Sequence, residues 1–195
     1  MKSKEFWKPG NMLYPLPAVM VSCKEGENPP NIITVAWTGT VCTNPAMVYI
    51  SVRPERYSYP IIKNSGEFVI NLTTKKLAKA TDFCGVRSGR EVDKFQKLGL
   101  TPIPGEKVKA PYIEECPVNI ECRVENILEL GSHHMILAAV VGVHVDPSYL
   151  DAKGRFDLNR SGLLAYSHGE YFDLGEKLGT FGYSVREKGK KKKRR

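Results

Sequence analysis

Short apolar runs, rich in β-branched residues, recur along the chain at intervals typical of β-strands. Six of them predict strands, over residues 18–23, 32–37, 47–52, 68–72, 118–128 and 134–145. In the fifth run, apolar residues at even positions from Val118 to Val124 alternate with polar residues at odd positions from Asn119 to Glu125. This period of two predicts an antiparallel strand with one face in the core and the other in water.

Helical patterns are fewer and shorter. They predict helices over residues 58–64, 75–83 and 93–98, each long enough only to cover a sheet. Residues 24–31, KEGENPPN, favour a chain reversal, so we expect a hairpin between the first two strands. Many closely spaced strands with few helices predict a closed or nearly closed antiparallel barrel, because closure removes exposed strand edges.

Positive charge is concentrated at the C-terminus. The chain of 195 residues has a formal net charge of +8, of which residues 186–195 carry +7. We therefore predict one domain over residues 1–185, followed by a disordered basic tail over residues 186–195. Such a tail either keeps the protein in solution or makes weak, nonspecific contacts with nucleic acid or anionic surfaces.

Cysteine spacing and hydropathy limit the classes of protein. The five cysteines include no Cys-x-x-Cys pair, which argues against a zinc ribbon or a thioredoxin motif, and the histidines have no spacing recognised for a metal site. The longest apolar stretch, residues 135–143, is too short to span a bilayer, and the N-terminus lacks the pattern of a secretory leader. We expect a cytoplasmic protein with reduced thiols and no membrane segment.

Residues 51–58, SVRPERYS, combine groups that bind phosphate. They end a predicted strand and open a predicted helix, so Ser58 is a candidate N-cap and the first helical N–H groups face an anion. Arg53 and Arg56 can hydrogen-bond the oxygens of that anion. The alternative is a surface turn whose two arginines pair with neighbouring carboxylates.

Residues 31–40, NIITVAWTGT, form a strand whose end suits a planar ring. Backbone groups after Val35 can meet the polar edge of a flat heterocycle, Trp37 can shield it, and Thr34 or Thr38 can supply a hydroxyl. A core tryptophan flanked by surface threonines is the alternative.

Two further segments carry candidate chemistry. The glycine-rich basic loop over residues 81–95 can wrap an anion, although it matches neither the P-loop nor the dinucleotide fingerprint. The pair His133-His134 opens the last strand, and alternation directs the two rings to opposite faces, so only one can enter a given pocket. Such a histidine either orients a substrate or donates a proton, or has a structural role.

In this order, the segments resemble the flavin reductase-like family of FMN-binding split barrels and, within it, the flavoredoxins. The resemblance covers residues 10–185, and its motifs are NIITVAW at 31–37, SVR at 51–53 followed by Tyr57-Ser58, SGEFVINL at 65–72, SGREVDKF at 88–95 and Ala110-Pro111. It implies a mainly β fold: a six-stranded antiparallel Greek-key split barrel with short covering helices. It also implies a homodimer with one FMN per subunit near the dimer interface.

The resemblance also implies which residues contact the cofactor. The isoalloxazine ring would lie against Thr34, Val35, Ala36, Trp37 and Thr38. The phosphate would be bound by Ser51, Arg53, Tyr57 and Ser58, with Arg56 close by. Further contacts would come from Asn71 and from the loop that contains Cys84, Gly85 and Ser88.

Three residues are the expected catalytic group by the same resemblance: His133 at the reactive face, Trp37 at the ring, and Tyr166, which together with Tyr171 covers the site. The chain departs from the family pattern at Ala138-Ala139, where relatives commonly have Gly-Glu, and at His134. Both departures concern the electron donor or acceptor more than the binding of FMN.

Three functions remain open on the sequence. The first is an oxidoreductase that passes electrons from NADH or NADPH through FMN to flavin or another acceptor. The second is a flavoredoxin-type carrier with tightly bound FMN and a protein electron donor. The third is a barrel that serves as a binding module, with its basic tail on nucleic acid.

Overall fold

The computed structural model describes residues 3–186. Twelve strands lie in this range: β1 (Leu16–Pro17), β2 (Val19–Cys23), β3 (Asn31–Val35), β4 (Thr38–Thr43), β5 (Ala46–Val52), β6 (Glu67–Leu72), β7 (Pro102–Ile103), β8 (Tyr112–Ile113), β9 (Val118–Leu130), β10 (His133–Val145), β11 (Leu164–Ser167) and β12 (Glu170–Asp173). The helices are α1 (Ser58–Ser65), α2 (Ala78–Val86) and α3 (Lys94–Leu98), with short 3-10 turns at Lys75–Leu77, Pro147–Tyr149, Leu158–Ser161 and Tyr183–Val185.

Seven strands form one antiparallel sheet in the order β3-β2-β6-β9-β10-β5-β4. The edge strands β3 and β4 are consecutive in sequence and are joined only by Ala36 and Trp37. Because two residues cannot span an open sheet, the sheet must curl until its edges meet at this bend. The backbone N–H of Ser51 donates to the Trp37 carbonyl at 2.8 Å, which extends the β4–β5 pairing into the bend.

The barrel interior is packed with apolar side chains from alternate strand positions, among them Val21, Ile50, Phe68, Cys122 and Ile136. A second apolar cluster lies outside the sheet, where Met20 and Ile32 pack against Cys84 of α2 and Phe95 of α3. Both faces of β2 are therefore covered, which explains why all five of its residues are buried. The helices act as covers, as the sequence predicts.

All six predicted strands are present in the main sheet, and β2 and β3 form the expected hairpin. The sheet nevertheless has seven strands instead of six, because Thr38–Thr43 forms a strand that the sequence did not reveal. The predicted strand over residues 32–37 ends at Val35, since Ala36 and Trp37 form the bend. The polar composition of β4, TGTVCT, gives no apolar signal.

One face of β9 is more buried than its alternating pattern predicts. Asn119 and Glu121, expected in water, are buried. The Glu121 carboxylate accepts hydrogen bonds from the backbone N–H groups of Glu106, Lys107 and Val108, at 2.7–3.0 Å. The segment before β8 therefore covers this end of the strand, and exposure as predicted begins only at Arg123.

Residues 187–195, which include most of the predicted basic tail, lie outside the described residues, so the division at residue 185 stays a prediction. Among residues 3–186, no helix has the length and hydropathy needed to cross a membrane.

Candidate functional site

A cavity of about 350 Å³ lies where the two edges of the barrel meet. Its lining combines the bend after β3, the turn after β5, helix α2 and the hairpin β11–β12. The residues involved are Ala18, Ile33, Thr34, Val35, Ala36, Trp37, Ser51, Val52, Arg53, Arg56, Asp82, Gly85, Val86, His133, Tyr166, Gly169 and Tyr171. This is the first cavity.

A second cavity of about 200 Å³ is rich in positive charge. It shares Ile33 and Arg56 with the first cavity, so the two adjoin. Its lining residues are Asn31, Ile33, Glu55, Arg56, Tyr57, Ser58, Arg87, Ser88, Gly89, Arg90 and Lys94. Four of these side chains are cationic and one is anionic, which suits a bound anion.

Lys94 is the most buried of these cations, with 3% of its surface exposed. Its Nζ donates to the backbone carbonyls of Ile32 and Cys84, at 2.6 and 2.9 Å. An ammonium has three N–H donors, so one remains for a ligand in the cavity. Burial lowers the pKa of Lys94 to about 8, an effect that the neighbouring thiol of Cys84 opposes and the charge of Arg56 reinforces.

The turn after β5 is built differently from the prediction. Ser58 does not cap α1; the N-cap position is Tyr57, and no side chain caps this helix. The Ser58 hydroxyl is buried and accepts a hydrogen bond from the Asn31 amide at 2.7 Å, which fixes the turn to the start of β3. Arg56 donates through Nη2 to the Gly85 carbonyl and so connects the turn to α2.

Gly89 marks a place where the backbone passes close to other groups. A Cβ at this position would collide with the Asn31 amide and the Tyr57 ring. The Arg90 guanidinium lies 5.6 Å from the centre of the same Tyr57 ring. The loop after α2 therefore lies close against the turn after β5 and encloses the second cavity.

Arg53 and Arg87 lie at the surface and already have anionic partners. Arg53 pairs with Glu55 at 3.4 Å and Arg87 with Glu91 at 3.3 Å, and all four side chains are more than half exposed. Exposed ion pairs of this kind contribute little to stability. Either arginine can exchange its carboxylate for a ligand anion at small cost.

Strand β3 presents free backbone groups to the first cavity. It is an edge strand, hydrogen-bonded to β2 on one side, so half of its N–H and C=O groups face away from the sheet. The Thr34 hydroxyl donates to the Thr81 carbonyl of α2. Trp37 is 38% exposed beside these groups. An edge of this kind can pair with the polar rim of a planar ring.

The two adjacent histidines lie on opposite faces of β10, as alternation predicts. His133 lines the first cavity and stacks on Trp37 with 5.7 Å between ring centres. Burial, followed by the charge of Arg53, lowers the pKa of His133, while Glu55 opposes the shift. The net shift favours the uncharged imidazole. His134 points elsewhere, and its Nδ1 lies 2.7 Å from the Tyr59 hydroxyl.

Three predicted cofactor contacts do not line either cavity. The Asn71 amide is buried, donates to Met20 O and Ser22 Oγ, and accepts from Ile113 N. Cys84 belongs to the apolar cluster outside the sheet, where burial raises the pKa of its thiol to about 11. The Thr38 hydroxyl is also buried and donates to the Tyr49 carbonyl at 2.7 Å.

Other lining residues were missed. Asn31, Asp82, Arg87, Arg90 and Lys94 line the cavities but were not among the predicted contacts. The basic loop over residues 81–95 was recognised as a candidate anion site, and it does supply Arg87, Arg90 and Lys94 to the second cavity. What the sequence lacked was any sign that Lys94 folds inward, because lysines are mostly exposed. Among residues 3–186, no cluster of three His, Cys, Asp or Glu side chains could hold a metal ion.

Comparisons with known proteins agree on one family. Residues 12–175 match the model of the flavin reductase like domain. The flavoredoxin of Desulfovibrio vulgaris (Miyazaki F) is 32% identical and superimposes with a TM-score of 0.87, covering 94% of this chain and all of that one. The flavoredoxin from Methanosarcina acetivorans, 26% identical, has a TM-score of 0.84 over the same shares. An uncharacterised protein of Archaeoglobus fulgidus is 32% identical over 82% of this chain and 88% of its own.

Proposed function

The chain belongs to the flavin reductase-like family, and from this premise we propose that it is a flavoprotein oxidoreductase that binds FMN in the two adjoining cavities. The observation that carries the proposal is the pairing of the cavities. One is bordered by an edge strand and aromatic rings, and the other is cationic. Together they match a molecule with a planar heterocycle at one end and a phosphate at the other.

The donors of the second cavity fit a phosphate. Arg56 and Lys94 would contact it from the turn and from α3, and Ser88 would add a hydroxyl. Arg87 and Arg90 add charge at the rim, as Arg53 does beside the first cavity. Since this is one compact cationic cavity, FMN suits the site better than FAD, which carries a second phosphate and an adenosine.

The remaining residues would hold the ring and exclude water. Thr34–Trp37 would face one edge of the heterocycle, and Tyr166 and Tyr171 would cover it. His133, which stacks on Trp37 and has a lowered pKa, would be available to donate or accept a proton at the ring. When bound, FMN itself supplies the electron-transfer chemistry, and the protein orients it and controls access.

The electron donor that we propose is NADH or NADPH, with flavin or another small molecule as acceptor. The alternative is a flavoredoxin-type carrier with a protein donor, which the similarity to two flavoredoxins favours. The match of residues 12–175 to the flavin reductase like domain supports the small-molecule donor.

One experiment separates these functions. The absorbance spectrum of the purified protein is recorded, and NADH and NADPH are then added anaerobically. Bleaching of the flavin bands by either nucleotide supports the reductase. A yellow protein inert to both indicates the carrier. A colourless protein that fails to bind added FMN refutes a flavin function and leaves the binding module with its basic tail. FAD binding tenfold tighter than FMN would contradict the choice of cofactor.

We also propose that the protein is a homodimer. Both terminal segments carry large apolar side chains in water: Phe6 is 99% exposed and Leu178 is 89% exposed, and Trp7, Phe181 and Val185 are similar. The accessible surface of 13600 Å² far exceeds the roughly 9300 Å² of a compact monomer of this mass. Even if fully exposed, the eleven residues outside the described range would account for only about 2000 Å². Light scattering after size exclusion tests the assignment, and a monomer at micromolar concentration would refute it.

A further inference from the structure

The hairpin β11–β12 forms a cover over the first cavity. Its turn consists of His168 and Gly169, both with positive φ (50° and 86°), the backbone of a tight two-residue turn. Tyr166 and Tyr171 face each other across the hairpin, with 5.6 Å between ring centres, and both line the cavity.

The two strands of this hairpin are attached in different ways. β11 pairs with β1, and its first residue, Leu164, donates to the Thr73 carbonyl at 3.1 Å. β12 is an edge strand, so backbone pairing holds it on one side only. Its contacts toward the helical side of the barrel are made by side chains. Tyr171 Oη donates to Asp82 Oδ1 at 3.3 Å, and Lys75 pairs with Asp173 at 3.0 Å.

The contact between Tyr171 and Asp82 differs from the contact between Lys75 and Asp173 in its position. Both Tyr171 and Asp82 line the first cavity, and Asp82 lies on α2 one turn before Gly85 and Val86, which line it too. The hydrogen bond therefore joins the cover to the helical wall. Neither Lys75 nor Asp173 lines this cavity, so their ion pair lies on the hairpin but outside the site.

We infer that Asp82 is a positioning residue that holds the Tyr171 ring over the cavity and thereby sets how long FMN stays bound. The inference rests on the proposed function. For the ligand to leave past the cover, β12 must move away from α2, which requires this hydrogen bond to break. Burial, followed by the charge of Asp82, raises the pKa of Tyr171 to about 12, so the phenol keeps its proton and donates throughout the physiological range.

This role bears on the choice between reductase and carrier. A reductase that releases its flavin needs a cover that opens during turnover, whereas a carrier needs one that stays closed. One exposed hydrogen bond to a carboxylate gives a modest barrier that is readily tuned. We therefore expect changes at this pair to alter the residence time of FMN without altering the fold.

The test measures FMN release from the loaded, full-length protein. The protein is diluted below its dissociation constant, and the rise in FMN fluorescence gives the dissociation rate. We expect Asp82→Ala and Tyr171→Phe each to speed release about threefold to tenfold. The double variant should be no faster than the faster single variant, because both changes remove the same bond. Asp82→Asn, which keeps an acceptor oxygen, should restore most of the wild-type rate.

Lys75→Met is the matched control, because it breaks a hairpin contact outside the cavity. Its release rate should stay within about twofold of wild type. A control as fast as Asp82→Ala would overturn the assignment, since general attachment of the hairpin would then explain the effect. Unchanged release in Tyr171→Phe would also overturn it. Failure of the wild-type protein to bind FMN at all would instead refute the proposed function.

Discussion

Lys94 and Glu121 are two buried charges whose surroundings differ in kind. Glu121 is 0% exposed and accepts hydrogen bonds from three backbone N–H groups and from His144 Nε2. Lys94 is almost as buried, yet among residues 3–186 its partners are two carbonyl oxygens, and it lines a cavity. A charge whose partners are complete has nothing to offer a ligand. The number of remaining donors or acceptors, and not burial, therefore separates a structural charge from a binding one.

The two adjacent histidines repeat the comparison. His134 is held by the Tyr59 hydroxyl and lies 3.9 Å from Glu129, on the face away from the site. His133 stacks on Trp37 and lines the first cavity, and its Nδ1 lies 3.0 Å from the exposed Ser132 hydroxyl. One imidazole ring is used by the fold, and the other remains available to a ligand.

The largest effect is expected from a change at Glu121, whose carboxylate accepts all four of the hydrogen bonds described above. Glu121→Gln replaces an acceptor with an NH₂ group among N–H donors, so we expect the free energy of unfolding to fall by about 3 kcal/mol or more. Urea denaturation measures this loss. Glu125→Gln, on the exposed part of the same strand, is the control and should change stability by less than about 0.5 kcal/mol. A Glu121 variant as stable as the control would show that the cluster is not structural.

The same cluster predicts a loss of stability in acid. Burial alone would raise the pKa of Glu121, but the hydrogen bonds from His144 and the backbone outweigh it, and the folded-state pKa lies below the ordinary value. This stabilisation is therefore present above the unfolded pKa and is lost as pH falls through the folded one. The difference in free energy of unfolding between wild type and Glu121→Gln should shrink as the pH falls into the acid range. A difference that stays constant with pH would contradict this prediction.

The histidine pair gives the next largest effect. His133→Ala removes the positioned imidazole but no phosphate contact, so FMN should stay bound while flavin reduction or reoxidation slows about a hundredfold. His134→Ala should leave both rates within a few-fold of wild type and cost only the Tyr59 hydrogen bond. Stopped-flow absorbance compares the two variants. Equal rates of flavin reduction and reoxidation in the two variants would show that His133 has only a structural role.

Lys94→Met tests the buried ammonium that keeps one N–H donor for a ligand. A methionine fills similar volume and removes a buried charge, so the fold should tolerate it, while FMN affinity should fall about tenfold to a hundredfold. Lys97→Met, on the exposed side of α3, is the control and should bind FMN normally. Isothermal titration gives both dissociation constants. A Lys94 variant that unfolds while the control does not would place this lysine with Glu121 as structural.

The smallest effect concerns pH and follows from the lowered pKa of Lys94. The unliganded ammonium loses its proton near pH 8, and a neutral amine attracts phosphate less strongly. FMN affinity should therefore decline above about pH 8, by no more than tenfold per pH unit. In Lys94→Met the decline should be absent between pH 7 and pH 9.5. A wild-type affinity that is flat over this range would show that the ammonium does not contact the phosphate.

Alternation revealed the core of the fold but not which faces other segments cover. The runs that became β2, β5, β6 and β10 are apolar enough to be recognised alone. Asn119 and Glu121 were placed in water because period two assumes that one face is solvated, but that face is covered by the segment before β8 and by Ile113 of β8 itself. β4 was missed because its residues are mostly small or polar.

The resemblance named most of the predicted contacts that line the two cavities, including His133 and Tyr166, which lie far from the other motifs in sequence. It placed Arg53 at the phosphate with Arg56 close by, but Arg53 lines only the first cavity, whereas Arg56 lines both. Asn71 lines neither cavity, since a strand asparagine can face either side and this one hydrogen-bonds Met20 and Ile113. Asp82 gave no signal, because its link to Tyr171 joins residues 89 positions apart.

The bend at Ala36 and Trp37 has a consequence for variation in chain length. These two residues both close the barrel and line the first cavity, so an inserted residue would part the sheet edges and displace the indole at once. The loop between β2 and β3 is exposed over most of its length and neither joins the sheet edges nor lines the first cavity. Insertions should therefore be tolerated in that loop, while the bend keeps its two-residue length even where its side chains differ.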